Sequence, residues 1–287
     1  MLGLLLVIGS TLASEAGTSI GKWETAHGKE SMYTMGFLNS LWATVFLLAL
    51  AFSVPSGFFA PGFPSGFVFS AASLPTFLPR LALEIIQAYV TVHAIVYADR
   101  STFGFLRIIT IPLLLVADIA LAYSIDTFHI AGMGLIIVSL ILLFINHGIR
   151  RKGAWLVVFI AVNAVLTISL YKYDITHFNS IEAEQTLVSL VLLAFFFCMA
   201  RMRAKENPLR FFARPIFFAQ SLFMGASGAI MSFAYLFSAA SVITTAERAA
   251  NVLFAMLSGR LYFHEKKLWT KVVSFILIMA GLALLAR

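Results

Sequence analysis

The stretch Ser169-Leu-Tyr-Lys172-Tyr-Asp174-Ile-Thr-His177 repeats, in altered form, Ser19-Ile-Gly-Lys22-Trp-Glu24-Thr-Ala-His27 at an offset of 150 residues. Serine, lysine and histidine match outright; Ile/Leu, Trp/Tyr and Glu/Asp are exchanges of like for like, and each copy closes an apolar run of helix length. An offset near half of the 287 residues is what duplication gives, and self-similarity at a fixed period is the first feature to look for in an architecture. A second echo agrees. Gly132 and Ser139 stand seven apart in one late apolar run, and Ser274 and Gly281 seven apart in another, at an offset of 142. An extra loop in the first half accounts for the smaller offset, and residues 55–79 hold five of the eight prolines. The chain therefore reads as two related halves, 1–149 and 150–287.

Composition decides the solvent. The chain is 61% hydrophobic and 11% charged with a mean hydropathy of +0.95, whereas soluble domains carry roughly 25% charge. It reads as an all-α, polytopic membrane protein, because lipid offers no partner to an open strand edge. At about 20 residues per crossing, the apolar runs divide into ten spans, five in each half: 2–22, 32–54, 80–98, 102–123, 129–147, 154–171, 184–200, 215–238, 242–263 and 268–286. The first run resembles a signal h-region, but no cation precedes it and its polar tail continues at helical spacing, so it is expected to be retained as a span. The net charge of +7 lies in connections between spans, which argues for topology and against nucleic-acid binding. The single cysteine, Cys198, excludes a disulfide framework and a thiolate metal cluster.

Charge at mid-bilayer costs about 2.5 to 3.5 kcal/mol on insertion scales, so such residues face a bundle interior or a wet cavity, usually with a partner. On the first span Thr11, Glu15, Thr18 and Lys22 share a face, and on the third Arg80, Glu84 and Gln87 recur at four and three residues. Tyr89, His93 and Tyr97 form a second stripe on the third span. Arg80 and Glu84 can also be read as a plain surface pair worth roughly 0.2 to 0.5 kcal/mol. On the fourth span Arg107 and Asp118 lie on one face but roughly 16 Å apart, so each needs a partner on another helix or on a ligand. Thr244, Glu247, Arg248, Asn251 and Ser258 stripe the ninth span, and Gln220, Ser227, Met231 and Tyr235 the eighth. Asn163 and Thr167 on the sixth read as interhelical hydrogen bonds. Lys22 and Lys172, beside Trp or Tyr at helix ends, read as anchors that snorkel to headgroups, and Gly225, Ala226, Gly228 and Ala229 as a close-packing face.

At the C-terminal end, Glu247-Arg248-x2-Asn251-Val-Leu-Phe-x3-Ser-Gly259-x2-Tyr-x2-Glu265-x8-Ser274-x6-Gly281, together with two five-helix halves and a tight third connection, resembles the drug/metabolite transporter superfamily, EamA type. Glu265 and Gly281 fit the family's ending; His264 and Ser274 stand where it commonly has Gly, and Tyr123 where Glu would align in the first half. The resemblance covers nearly the whole chain. It implies a ten-helix carrier whose inverted halves enclose a central cavity lined by spans 3, 4, 8 and 9, the set that the polar stripes also select.

The resulting expectation is a secondary permease or exporter in the plasma or inner membrane, with no cofactor, moving a small polar metabolite by alternating access. The expected substrate contacts are Glu84, Gln87, His93, Arg107, Asp118, Tyr235, Glu247, Arg248 and Asn251, with Glu15 and Glu84 as ion-coupling carboxylates. Arginines beside glutamates suit a zwitterion such as an amino acid. No HExxH, GxSxG or Gly-rich phosphate loop is present, so catalysis is not expected. The competing readings are an intramembrane enzyme using Asp118 or Glu84 on a lipid-linked substrate, and a membrane protein that holds a partner without transporting; a second copy of the chain is compatible with all three. Thirteen cations fall in the connections after odd-numbered spans and three on the opposite side. The positive-inside rule puts the odd connections in the cytoplasm and both termini outside, whereas the resembled family usually has both inside.

Overall fold

Apolar runs with few competing polar side chains satisfy their backbone in helices, and the computed structural model, which describes residues 2–53, 66–98, 103, 106–145, 153–263 and 268–285, has ten helices of eleven residues or more and no strand among them. They are α1 (Leu2–Ala26), α2 (Met32–Ser53), α3 (Leu74–Tyr97), α4 (Thr110–Ala120), α5 (Thr127–Ile145), α6 (Ala154–His177), α7 (Ile181–Met199), α8 (Pro215–Ala234), α9 (Ala240–Phe263) and α10 (Leu268–Leu285). Five of these segments, α1, α2, α6, α7 with its terminal π turn (Ala200–Ala204), and α8, are long and apolar enough to cross a membrane. The chain is thus a helical membrane protein.

The helix ends follow local chemistry. Ser180 precedes α7 in extended conformation and accepts from the Ala183 amide, while Glu182 and Glu184 sit in the first turn where the helix dipole favours anions. Pro75 and Pro215 open α3 and α8 at positions where a missing N–H costs nothing. Two expected boundaries move. α3 starts at Leu74 rather than near Arg80 and carries Pro79 inside its first turns. Within the fourth span a 3-10 turn (Arg107–Ile109) leads into an α-helix of eleven residues (Thr110–Ala120). Part of the proline-rich loop, 54–65, lies outside the described residues.

The helices associate mainly across the two halves. α1 lies along α8 and α9, α2 between α7 and α8, α3 on α6, α4 between α6 and α9, and α5 on α10. Close approach is bought with small residues. A Cβ on Gly225 would fall 2.4 Å from Trp42 Cβ and 2.5 Å from the Ala43 nitrogen, so α2 and α8 meet backbone to backbone there. On α5 and α10, Ser139 Oγ donates to the Ser274 carbonyl at 2.8 Å, and Ser274 Oγ faces the Ser139 carbonyl at 3.4 Å. A Cβ on Gly281 would lie 3.0 Å from the Gly132 carbonyl oxygen, and one on Gly132 would lie 2.9 Å from that of Gly281. The two echoed Gly/Ser pairs therefore touch each other.

The connections alternate between two ends. At one, which we call the basic end, the α1–α2 turn meets the segment after α7, and Gly153, at the start of α6, packs on Ala98, at the end of α3. At the opposite end, residues 66–70 bond to the α6–α7 turn, through Ser180 N–H to the Val68 carbonyl and Ser70 N–H to Asn179 Oδ1.

Candidate functional site

α9 begins where Asp118, fully buried at the end of α4, accepts from the Ser241 amide at 2.6 Å. That contact fixes the start of α9 and its polar stripe. One turn on, Thr244 Oγ1 lies 3.2 Å from the Tyr235 hydroxyl. At the next turn Glu247 Oε1 is 2.7 Å from Arg248 Nη1 and 4.0 Å from Arg107 Nη2, and Asn251 Nδ2 donates to it at 3.5 Å. One carboxylate oxygen is thus met by two guanidinium groups and an amide. Arg107 also lies over the Phe103 ring at 5.1 Å. Two arginines against one glutamate leave a positive excess of one.

A second ionic group lies across an aromatic bridge. The Tyr235 ring meets Tyr171 of α6 edge-on at 5.7 Å between centroids, and the Arg80 guanidinium stands over the other ring at 4.5 Å. Arg80 is buried and ion-paired to the buried Glu184 of α7, with Glu84 at 3.9 Å. Asn179 Nδ2 donates to Glu184, and Thr76 to Asp174. Here carboxylates outnumber the arginine. From Glu84 through Arg80, Tyr171 and Tyr235 to Glu247 runs a line of polar and aromatic contacts with carboxyl groups in the majority at one end and guanidinium groups at the other.

Arg107, Tyr235, Glu247, Arg248 and Asn251 are brought together by α4, α8 and α9. Glu84 joins them through Arg80 and the tyrosines. Gln87 does not: its Oε1 accepts from Asn163 Nδ2 at 2.7 Å, an α3–α6 tie. His93 stands among Tyr89, Tyr97 and Tyr33, ring centroids 4.4, 6.3 and 5.9 Å away, with Nδ1 on the Tyr89 carbonyl, separate from the charged line. Asp118 serves the α9 N-terminus. Glu15 is half-buried on α1. Ser258 and Glu265 lie among residues 255–272, whose side chains are outside the described set.

One reading is corrected. Lys172 is buried, and its Nζ donates to the carbonyl of Tyr235 just past the end of α8, while Lys22 Nζ donates to Ala98, just past the end of α3, at 3.3 Å. The echoed lysines meet helix C-terminal carbonyls, where a cation favours the dipole, instead of reaching for headgroups. The rest of the echo is geometric too: His27 Nδ1 meets the Trp23 carbonyl at 2.7 Å and His177 Nδ1 that of Tyr173 at 2.9 Å.

Sequence reasoning missed Glu184, Asp174 and Tyr171. The acidic first turn of α7 reads as ordinary helix capping, and nothing local says that Arg80 reaches it from 104 residues away. It also missed a group at the basic end. Glu206 Oε2 accepts from Ser31 N at 3.2 Å, Ser31 Oγ at 2.7 Å and Thr34 Oγ1 at 2.5 Å, docking on the N-terminus of α2. Beside it Glu30 is buried in the α1–α2 turn, and burial, reinforced by the Glu24 and Glu206 carboxylates, pushes its carboxyl up to about 8.

No family model and no curated protein matches this chain. Among solved structures, one described only as a crystal structure of a protein superposes with a TM-score of 0.69 over 98% of this chain and 95% of its own, at 14% identity. The likeness extends over both chains and speaks to the fold alone.

Proposed function

We propose that this protein is a multi-pass secondary carrier of the EamA type in the plasma or inner membrane, ten helices in two inverted repeats, that moves a small zwitterionic metabolite such as an amino acid. The observation that carries the reading is the Arg107–Glu247–Arg248 group. Arg107 is 23% and Glu247 21% exposed although both sit among apolar helices. A lipid-facing charge would cost several kcal/mol, so that exposure belongs to an interior opening, where a carboxylate ligand can meet the uncompensated guanidinium. Glu84, 23% exposed at the other end of the line, suits the ammonium.

The inverted repeat is supported by the packing. Exchanging α1–α5 with α6–α10 turns the α1–α8 contact into α6–α3 and α1–α9 into α6–α4, and maps α2–α7, α4–α9 and α5–α10 onto themselves. The same exchange turns Ser139–Ser274 into Gly281–Gly132, and Lys22 on the end of α3 into Lys172 on the end of α8. Halves related in this way can rock about a site between them.

Thermal unfolding of the purified protein against neutral, anionic, cationic and zwitterionic solutes tests the site. A solute present at about 100 times its dissociation constant stabilises by about 2.7 kcal/mol. Zwitterions are expected to stabilise the wild type and to lose that effect in both Arg107→Ala and Arg248→Ala. Stabilisation by neutral solutes alone, unchanged in both variants, would contradict the reading.

A further inference from the structure

The two ends of the bundle are fastened in matching ways. At the opposite end the segment after α2 bonds to the α6–α7 turn; at the basic end the segment after α7 bonds to the α1–α2 turn. The fastenings differ in charge. Arg80 stands by Glu184 and Asp174 at the opposite end. At the basic end Lys29 pairs with Glu24 at 3.6 Å, and Glu30 lies in the field of two further carboxylates, Glu24 of α1 and Glu206 of the segment after α7. Glu30 is 3% exposed, and the neutral side chains of Thr25 and Gln220 stand beside its carboxyl. Gln220 of α8 is 0% exposed and lies beside that carboxyl. It reaches into the space left by Gly21, where a Cβ would be 2.8 Å from its Nε2. A carboxyl buried among neutral side chains, within the field of two other carboxylates, suits one ligand, a proton. A carboxyl that keeps its proton can stay there, and an ionised one repels Glu206.

We propose that Glu30 is a proton-binding site whose occupancy latches the basic end: protonated, it lets Glu206 stay docked on Ser31 and Thr34 at the N-terminus of α2; ionised, it expels Glu206 and frees the α1–α2 turn from the segment after α7. Acting as the coupling step of transport, this latch rests on the carrier reading; as a proton switch it does not. It places coupling at Glu30 in place of Glu15 or Glu84. The sign is fixed by linkage. The closed latch holds the Glu30 proton up to about 8, whereas the released turn returns the carboxyl toward its ordinary 4.5. The closed form binds the extra proton between those values, so closure weakens as pH rises through the interval and levels off above it.

The test is a distance across the latch in the full chain. With Cys198→Ala, nitroxides are placed at His27→Cys and Met202→Cys, exposed positions on either side of the docking contact, and the distance is read as pH is stepped across the interval from 4.5 to about 8. A single short distance on the acid side, a longer population growing on the alkaline side, and a distance held short throughout in Glu30→Gln are expected. A distribution that ignores pH, or one that shifts with the same midpoint in Glu30→Gln, overturns the proposal. Should Glu30→Gln not fold, infrared titration of the wild type decides: a buried protonated-carboxyl band lost through the same interval supports the site, and its absence refutes it. A latch that switches in a protein inert to every solute sinks the carrier reading and keeps the latch. Solute uptake with an immobile latch does the reverse.

Discussion

Glu247 accepts from Arg248 and Asn251 and has the Arg107 guanidinium at 4.0 Å, and the consequence of removing it differs from that of removing either arginine. Glu247→Gln leaves two guanidinium groups facing each other, and breaking a buried pair from one side costs about 3 to 5 kcal/mol at full burial; at 21% exposure of Glu247 the loss is expected to be smaller, and still resolved by melting in detergent. Arg107→Ala removes a ligand contact and is expected to abolish transport with the protein inserted and folded. Asp118→Asn is expected to behave differently from both. Its role is to cap α9, so it should lower stability by about 0.5 to 2 kcal/mol and leave solute affinity unchanged within error. A large loss of affinity with stability intact would return Asp118 to the binding residues.

Elements were legible where periodicity is strong. Each of the ten apolar runs holds a helix among the described residues, and the stripe on α9 meets Arg107 and Tyr235 from the fourth and eighth runs. What the stripes could not tell was which helix answers them: Arg80 pairs with α7, Gln87 with α6, and Asp118 with the backbone of α9, all set by packing between distant segments. The glycine face on α8 yields a contrast that tests the packing. Gly225→Ala would drive a Cβ into the α2 backbone, whereas at Gly228 the nearest atom is Ala43 Cβ at 3.7 Å. Overpacking costs typically about 1 to 3 kcal/mol. Gly225→Ala is therefore expected to lower the melting temperature and Gly228→Ala to leave it unchanged or slightly raised, and equal effects would mean that α2 and α8 are further apart than described.

At the scale of the whole molecule the nine-residue echo carried the most information. It pointed to two related halves, and its lysines, histidines and aromatic residues occupy equivalent places, down to the helix end that each lysine meets. Its role as an internal cap was hidden, since Lys beside an aromatic residue at a helix end has the same composition as an interface anchor. The cations bear on the orientation. Lys29, Arg201, Arg203, Lys205, Arg210 and Arg214 all belong to the basic end, which the positive-inside rule assigns to the cytoplasm. A cysteine at Lys205, in the Cys198→Ala background, is expected to stay protected from an impermeant thiol reagent in intact cells and to react once they are opened. Ready labelling in intact cells would put both termini inside. The most direct test of the central claim is uptake of a metabolite panel into proteoliposomes: the account expects a zwitterionic solute to enter chemically unchanged, with entry lost in Arg107→Ala and Arg248→Ala, and a vesicle that stays impermeable to the whole panel, or that accumulates a chemically altered product, would contradict it.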